Sequence, residues 1–365
     1  MKRKTKHILI DLERLRYPNS GIANVFKNLA FGFSKLPTLG NMVVSLYGPE
    51  DTIEEIGTGF SVVQRKAIHK MIPFYTFKYH LIHTSHQLSS YFHFKKAGQK
   101  KVVTLHDLNF LHEKISEKKE KKELNKVKRN IHNADVIVCI SEFTKNDLLE
   151  NKNLFSFRKE PKIVVVYNGI SFPSIDKKYN LGTFSYLKNK KYILNIGVLF
   201  HKKNQLSLIK MLPFLDVDLV LVVSSENQSY LKRINKKIED LGLQKRIHFC
   251  YNITEEEKWA LIQNCESMCH PSIAEGFGIP PIEAMGFGKP VFLSDRTSLP
   301  EVGGEVAFYF ENFETDYMVS IYKNGMKEFY DNESEFRAKL LNRAANFDYK
   351  VMAKNYLSVY KSLLF

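Results

Sequence analysis

Short apolar runs rich in β-branched residues alternate with helix-length segments along almost the whole chain. Strands that are buried on both faces of a sheet have this character, and their alternation with helices predicts a doubly wound parallel sheet. In the first half of the chain the runs are HILIDL (7–12), MVVSLYG (42–48), HLIHTS (80–85), KVVTLHD (101–107), ADVIVCIS (134–141) and KIVVVYNG (162–169).

The pattern is interrupted once, by a polar, lysine-rich stretch (171–190), and then begins again. The chain has 365 residues, and a single hydrophobic core stops growing at ~250–300 residues. We therefore expect an α/β protein with two Rossmann-like domains, 1–178 and 179–346, followed by a terminal segment, 347–365. The runs of the second half are KYILNIG (191–197), LVLVVSS (219–225), RIHFCYN (246–252), SMCHPS (267–272) and PVFLSD (290–295).

The charge balance is strongly basic, with 54 Lys and Arg against 39 Asp and Glu and a net charge of +15. Such a surface attracts phosphates, whether in nucleic acid, anionic lipid or anionic glycan. The four cysteines are too few for a disulfide framework and favour a reducing compartment. No window approaches the ~20 apolar residues of a membrane span, and the opening residues lack the apolar region of a signal peptide. A cytoplasmic protein, soluble or peripheral on a membrane, is expected.

The most informative segment is HPSIAEGFGIPPIEAMGFGKPVFLSD (270–295), which predicts a strand, a glycine turn, a helix and another strand. Gly276 and Gly278 let a ligand approach the backbone closely. The N–H groups of Phe277, Gly278 and Ile279 precede a helix whose N-terminus favours anions. A phosphate oxygen or a sugar hydroxyl fits this turn.

Two carboxylates, Glu275 and Glu283, frame the glycine turn. Neither favours a bare phosphate, but each can accept hydroxyl hydrogens from a sugar or a ribose. A nucleotide sugar carries both kinds of group. The alternative is that Glu283 is only a dipole partner at the start of the helix and that Glu275 is a solvated loop acid.

A second segment, NIGVLFHKKNQLSLIKM (195–211), places Lys202 and Lys203 at the carboxyl end of a strand, just before Asn204. Two cations in this position can neutralise a diphosphate without a metal ion. Solvated loop charges are the alternative.

The first half of the chain offers two weaker candidates. Gly21, in PNSGIA (18–23), follows the first strand and allows backbone amides to meet a phosphate, although a plain turn also explains it. His106 stands with Asp107 at the end of a strand, where a histidine can handle protons near neutral pH or play a structural part.

The segment EGFGIPPIEA (275–284), followed by GKPV (288–291) and SLPEV (298–302), resembles the signature of glycosyltransferase family 4. The resemblance implies the GT-B fold, in which two Rossmann-like domains face a deep cleft. The first domain (1–178) is then expected to bind the acceptor and the second (179–346) the nucleotide sugar. The resemblance also implies that the last segment, 347–365, forms a helix that crosses back to the first domain. Members of the family transfer sugars from nucleotide diphosphate sugars and retain the anomeric configuration.

The same resemblance assigns roles to individual residues. Glu275 matches the glutamate at the transferred sugar, Glu283 the one that holds the nucleotide ribose, and Lys203 the lysine at the diphosphate. Lys202 stands where the family usually has Arg, and His106 matches a histidine that lies beside the reacting sugar in mannosyltransferase-like members. The expected catalytic residues are His106, Glu275 and Lys203, and the expected donor-binding residues are Gly21, Lys202, Lys203, Asn204, Glu275, Gly276, Phe277, Gly278, Ile279 and Glu283.

We therefore expect a retaining hexosyltransferase that moves a mannose, glucose or galactose unit from GDP-mannose or a UDP-hexose to a glycan or lipid-linked acceptor in cell-surface polysaccharide or lipopolysaccharide (O-antigen) biosynthesis. No cofactor or metal is expected, and Asp216-Val217-Asp218 is interpreted as a polar loop. A nucleotide-sugar epimerase of the same fold and a basic nucleic-acid-binding protein are the rival interpretations, and neither accounts for the Glu–Gly turn.

The clustered cations at Lys2, Arg3, Lys4 and Lys6, and in the run 113–129, suggest an anionic inner-leaflet surface as a partner. Solvated faces are the alternative.

Overall fold

The chain divides into two units, each built on its own parallel sheet. The first contains Met1–Ser171 together with Phe347–Phe365, and the second contains Phe172–Asn346. The chain thus leaves the first unit after Ser171, ahead of the boundary near residue 178 suggested by composition, and returns to it at Phe347. The structure, a computed structural model, describes residues 4–17, 21–112 and 116–365.

The first unit is built on a seven-stranded sheet in which each paired neighbour runs parallel. Its strands are β1 (Lys6–Asp11), β2 (Met42–Gly48), β3 (Ser61–Gln64), β4 (Leu81–Thr84), β5 (Lys100–Leu105), β6 (Val136–Cys139) and β7 (Lys162–Val165). The spatial order is β3-β2-β1-β4-β5-β6-β7, so the chain builds outward from β1 first in one direction and then in the other. This is the doubly wound arrangement that the apolar runs predict.

The second unit repeats this plan with a six-stranded parallel sheet. Its strands are β8 (Tyr192–Leu199), β9 (Asp218–Glu226), β10 (Ile247–Tyr251), β11 (Ser267–His270), β12 (Val291–Ser294) and β13 (Phe308–Phe310). They are arranged in the order β10-β9-β8-β11-β12-β13. The first four residues of β8 and all residues of β11 and β12 are buried, as strands covered by helices on both faces require.

Helices connect the strands, and several begin at side chains that cap them. Ser141 accepts a hydrogen bond from the Thr144 amide, and Thr254 forms a capping box with Glu257. The helices are α1 (Gly21–Ser34), α2 (Glu50–Glu55), α3 (Glu117–Ile131), α4 (Glu142–Glu150), α5 (Gln205–Met211), α6 (Gln228–Asp240), α7 (Glu255–Asn264), α8 (Ile279–Met285), α9 (Leu299–Gly303), α10 (Thr315–Asp331), α11 (Glu333–Ala345) and α12 (Tyr349–Leu364).

The last helix, α12, packs on the first unit against α1. A Cβ atom on Gly32 of α1 would lie 2.7 Å from the Cβ of Ala353, so the two helices approach more closely than a larger residue would permit. Ile170 anchors the start of α12, since its amide donates to the Phe347 carbonyl at 2.9 Å and its carbonyl accepts from the Tyr349 amide at 3.0 Å. The return of the chain to the first unit agrees with the fold class implied by the resemblance.

A buried polar network secures α12 to the sheet beneath it. His83 on β4 is 2.6 Å from the hydroxyl of Tyr360 and, through its other ring nitrogen, 2.8 Å from the hydroxyl of Thr104 on β5. The Thr104 hydroxyl is in turn 2.8 Å from that of Tyr356. All four side chains are almost completely buried. Water cannot reach their polar atoms, which instead form hydrogen bonds with one another.

The two parallel sheets with their covering helices confirm the predicted α/β class. Along the part of the chain that the structure describes, no helix is both long and apolar enough to cross a membrane.

Candidate active site

The carboxyl ends of β8 and β11 meet at one edge of the second sheet, where ligands bind in folds of this kind. Lys203 follows β8 in a short turn (His201–Lys203), and Glu275 follows β11. The Lys203 Nζ donates a short hydrogen bond to Oε1 of Glu275, and the two side chains are only 15% and 11% exposed. Two residues that the sequence nominated separately thus form one buried ion pair.

His270, the last residue of β11, completes this cluster. Its Nε2 lies 2.6 Å from the same Glu275 oxygen and donates to it, because a carboxylate oxygen only accepts. The side chain is 2% exposed, and its Nδ1 has no hydrogen-bond partner among the described residues. The sequence motifs do not single out His270 as a site residue. Its position at the very end of a buried strand was the signal that could have identified it.

The charge of Glu275 is set by these two neighbours. Burial alone would raise the pKa of Glu275, but the Lys203 ammonium and then His270 outweigh burial and hold that pKa well below its usual range. Glu275 is therefore ionised at neutral pH. Lys203 and His270 both bind Oε1 and fix the carboxylate. Glu275 is therefore suited to orient a polyol beside the Lys203 ammonium.

The loop that carries Glu275 is held from β12 and the turn that follows it. The Glu275 amide donates to the Thr297 hydroxyl at 3.0 Å, and the Ser298 hydroxyl donates to the Phe277 carbonyl at 2.9 Å. Thr297 has a φ of 54°, and such a left-handed backbone in a β-branched residue costs ~1–3 kcal/mol. The role of Thr297 cannot be recognised in the sequence, because it depends on a backbone angle.

The glycine turn leads directly into α8. Gly278 has a φ of 106°, which favours glycine, and a Cβ atom there would lie 2.8 Å from the Leu299 side chain. Phe277 is buried, while Gly276 and Ile279 are partly exposed. The turn therefore presents backbone rather than bulky side chains beside Glu275.

Lys202 and Asn204 connect the two loops of the site. The Lys202 carbonyl accepts from the Ile273 amide at 2.6 Å and from the Ser272 hydroxyl at 3.0 Å. Asn204 adopts a left-handed backbone with a φ of 53°, and its buried Nδ2 lacks a hydrogen-bond partner within the described chain. These contacts fix Lys203, which lies between them, relative to the Glu275 loop.

Glu283 belongs to a second ion pair. It lies on α8, and its Oε1 accepts from Nζ of Lys258 on α7 at 2.7 Å. Burial raises the pKa of Glu283, although the Lys258 ammonium opposes this. Lys258 also lies 3.8 Å from the centre of the Trp259 ring. The structure thus places Glu283 beside a cation and an aromatic ring that the sequence analysis did not single out.

Two expected site residues lie in the first unit. Gly21 is the first residue of α1, and its Cβ position is open, with nothing within 4 Å. The preceding residues of that motif, 18–20, lie outside the described residues. His106 follows β5 and is 4% exposed.

His106 is held as a neutral imidazole. Its Nε2 donates to the Ser85 carbonyl at 2.8 Å, which leaves Nδ1 as a hydrogen-bond acceptor. Burial lowers the pKa of His106 to about 4 despite the bond to Ser85, and Arg14 lowers it further. The sequence suggested a histidine that handles protons near neutral pH. The structure instead favours an acceptor whose charge does not change there.

Other titratable side chains lie at the same edge of the first sheet as His106. Arg14 Nη2 lies 3.3 Å from Nδ1 of His86, and the His86 ring lies 5.7 Å from the His106 ring. Asp11 at the end of β1 is 1% exposed, and burial raises its pKa to about 6. The carboxyl edge of the first sheet therefore combines two neutral imidazoles with the Arg14 guanidinium and the buried carboxyl group of Asp11.

Asp218 begins β9, away from the two clusters. It accepts from Nζ of Lys190 at 2.7 Å and from Nε2 of His248 at 2.9 Å. These contacts give the carboxylate a structural role at the amino end of the strand.

Comparisons with known proteins agree with the fold and extend it to a family. The chain resembles HepE of Anabaena, solved in complex with UDP and glucose, with a TM-score of 0.70 at 19% identity over 98% of this chain and 100% of HepE. This similarity places the fold in the GT-B class. The model for glycosyl transferases group 1 matches residues 184–346, and the model for glycosyltransferase family 4 matches residues 47–172. The chain belongs to the group 1, family 4 glycosyltransferases.

Two curated relatives are mannosyltransferases. The O-antigen chain mannosyltransferase RfbU of Salmonella typhimurium is 28% identical over 236 residues, which are 64% of this chain and 62% of RfbU. The serotype-specific mannosyltransferase WbdA of Escherichia coli is 29% identical over 185 residues, which are 47% of this chain and 22% of WbdA.

We expect the first unit to lose stability as the pH falls below the ordinary histidine pKa. Burial lowers the pKa of His83 to about 3, that of His106 to about 4 and that of His86 well below its usual value. The unfolded chain binds these protons below about pH 6.5, so each histidine removes up to ~1.4 kcal/mol per pH unit between that pH and its folded pKa. Asp11 acts in the opposite direction, because its raised pKa favours the folded state until the pH rises through about 6.

Urea unfolding at about pH 7 and about pH 5 measures this balance. Three histidines should outweigh one aspartate, so the midpoint should fall at the lower pH. His106→Gln should reduce the difference, whereas the exposed His201→Gln should leave it unchanged. Equal unfolding midpoints at the two pH values would contradict the lowered pKa values of these three histidines.

Proposed function

We propose that the protein transfers a hexose from a nucleotide diphosphate sugar to a glycan or lipid-linked acceptor of a cell-surface polysaccharide. The cluster of Lys203, Glu275 and His270 at the carboxyl edge of the second sheet carries this proposal. It combines a cation for a phosphate with a fixed carboxylate for sugar hydroxyls. Family membership and the mannosyltransferase relatives support the same activity.

In this proposal the donor diphosphate lies beside Lys203 and the glycine turn. Negative charge develops on the leaving phosphate as the glycosidic bond breaks, and a positioned cation with backbone amides stabilises that charge. Glu275 accepts hydrogen bonds from hydroxyls of the transferred sugar, and Glu283 accepts those of the ribose. When the diphosphate draws Lys203 away, His270 keeps Glu275 in place through its own hydrogen bond.

GDP-mannose is the first choice of donor and a UDP-hexose the second. The relatives RfbU and WbdA are named as mannosyltransferases, whereas HepE was solved with UDP and glucose. We propose transfer with retention, as the family resemblance suggests. The acceptor hydroxyl attacks on the face of the leaving phosphate, and that phosphate takes the proton of the hydroxyl. His106 Nδ1, a neutral acceptor, would orient a hydroxyl in this step.

The glutamates should have separable effects on binding and transfer. Glu275→Gln should fold and bind donor but lose transfer by ~10²-fold or more, because a neutral amide at the sugar removes a charge-assisted hydrogen bond. Glu283→Ala should mainly raise the donor dissociation constant. Thermal shifts with GDP-mannose, UDP-glucose, UDP-galactose and UDP-N-acetylglucosamine identify the donor, and radiolabelled sugar transfer measures the rate.

The exposed Glu311→Gln, in the same unit, is the matched control and should behave like the parent protein. Full transfer by Glu275→Gln would overturn its assigned role. No thermal shift with any nucleotide sugar or free nucleotide would count against the transferase itself.

We further propose that transfer needs no divalent metal. Lys203 supplies the positive charge at the diphosphate, and Asp218 is already bonded to Lys190 and His248. Treatment with EDTA should therefore leave the transfer rate nearly unchanged. A loss that manganese restores would contradict this and would direct attention to Asp216 and Asp218.

The acceptor is proposed to be reached at an anionic membrane surface, on the cytoplasmic side. An apolar loop (68–74) in the first unit exposes Ile68 by 54%, Met71 by 80% and Phe74 by 70%. Its base is fixed, since the His69 ring stacks on Tyr75 at 3.9 Å. Apolar side chains that cannot fold back onto the protein are suited to enter the interface of a bilayer.

Lysines beside the apolar loop match an anionic surface. Lys66, Lys70 and Lys78 are all exposed, and each cation close to such a surface contributes ~1 kcal/mol. The lysines of α3 extend the positive charge of this unit. Of the N-terminal cations considered above, Lys2 and Arg3 lie outside the described residues.

Substitution of the apolar loop should weaken membrane binding. Met71→Asp with Phe74→Asp should lower co-sedimentation with vesicles of phosphatidylcholine and phosphatidylglycerol by about tenfold or more, because two apolar side chains no longer enter the bilayer. Phe214→Asp, which alters a similarly exposed residue of the second unit, is the control. Unchanged sedimentation of the double variant would exclude this loop as the contact.

A further inference from the structure

A second concentration of positive charge lies at the opposite edge of the first sheet from His106. There, a pocket of about 310 Å³ opens beside the amino ends of β5 and β6. It is outside the predicted donor and acceptor sites, which use the carboxyl edges of the sheets. We call it the basic pocket. Its charged lining residues are Lys95, Lys96, Lys100, Asp135, Arg158 and Lys159.

The lining of the basic pocket has more positive than negative side chains. Its single carboxylate, Asp135, already accepts from Nζ of Lys95 at 2.6 Å and from the amide of Lys101 at 2.7 Å. The other cations in its lining are Lys96, Lys100, Arg158 and Lys159. Within the described chain, none of them forms an ion pair with an acidic side chain. Like charges gathered on a concave surface raise the local potential and attract a polyvalent anion.

A buried lysine adds to this potential from beneath. Lys101 is completely buried, and within the described residues its ammonium has one hydrogen-bond partner, Oδ1 of Asn133 at 3.0 Å. Asn133 lines the basic pocket. Burial lowers the pKa of Lys101 to about 7, and the nearby Lys95 and Arg129 lower it further. An anion in the pocket would favour the charged form of this group.

The walls of the pocket are fixed in advance. Gln99 is 3% exposed, and its Nε2 donates to the carbonyls of Thr76 and Tyr79 at 2.7 and 2.9 Å. Its Oε1 accepts from the Lys96 amide at 3.3 Å, which closes the turn. On the other side, the Arg158 amide donates to the His132 carbonyl at 2.8 Å. A ligand therefore meets loops that are already ordered, so little backbone entropy is lost on binding.

We propose that the basic pocket binds a phosphate monoester group. Its volume is at the lower end of the range for small-molecule sites, which suits a phosphate with a small substituent better than a whole nucleotide sugar. Arg158 offers paired donors to two phosphate oxygens, and the lysines supply point charges around it. This inference does not rest on the transferase activity proposed above.

The test uses glycerol 3-phosphate and inorganic phosphate as probes, titrated by calorimetry at constant ionic strength. The protein carries Lys203→Gln, which removes the cation of the donor site but keeps a hydrogen-bond donor for Glu275. Saturable binding should be weakened more than tenfold when Lys96→Ala, Arg158→Ala and Lys159→Ala are added, because each lost group is a charged hydrogen-bond donor. The matched control changes Lys232, Arg233 and Lys236 of α6 to alanine and should bind like the parent.

Absence of saturable binding, or an equal loss in the α6 control, would overturn the proposal. With Lys203 intact, the Lys96, Arg158 and Lys159 triple variant should transfer sugar at the parent rate, so a failure of phosphate binding is distinguishable from a failure of the proposed function. Vesicles of phosphatidylcholine with and without phosphatidic acid separate the two sources of the group. Retention that depends on the basic pocket and on phosphatidic acid assigns a lipid headgroup, and saturation by glycerol 3-phosphate alone assigns a soluble ester.

Discussion

The parallel pairing of the strands determines where polar side chains cluster in this protein. In a parallel sheet all strands end at the same edge, so side chains just beyond those ends converge even when they are far apart in sequence. Lys203 after β8 and Glu275 after β11 meet for this reason, and Asp11 and His106 lie at the same edge of the first sheet. The amino edges gather a different set of residues, and there the basic pocket forms. One geometric rule thus separates the cluster around Glu275 from the basic pocket.

The buried carboxylate of Glu275 shows how neighbouring side chains at such an edge stabilise a charge in the protein interior. An ionised acid away from water is unfavourable unless it is paired and hydrogen-bonded, and here Lys203 and His270 supply both. The loop that carries it is held by Thr297, whose left-handed backbone is strained. Strain of this kind persists only where surrounding contacts enforce it, and it is often found at functional sites.

Much of the fold follows from the sequence, because long buried strands have continuous apolar runs. The strands that the sequence did not reveal, β3 and β13, are short edge strands and partly exposed, so their residues lack such a run. In the site, Lys203 and Glu275 were recognisable one at a time from motifs. Their pairing with each other and with His270 depends on the sheet order, which no local pattern contains. The neutral state of His106 likewise depends on burial, and its tautomer depends on the Ser85 carbonyl, which follows β4.

The position of α12 has a consequence for the order in which the chain acquires its structure during synthesis. The first unit is discontinuous, since the whole second unit is inserted between Ser171 and Phe347. Until Tyr356 and Tyr360 have emerged from the ribosome, they cannot cover His83. The second unit, although it is translated later, is continuous and has its own core, so it can be complete first. The amino-terminal unit would then be the last to close, and a nascent chain stalled before α12 emerges would present an uncovered sheet to chaperones.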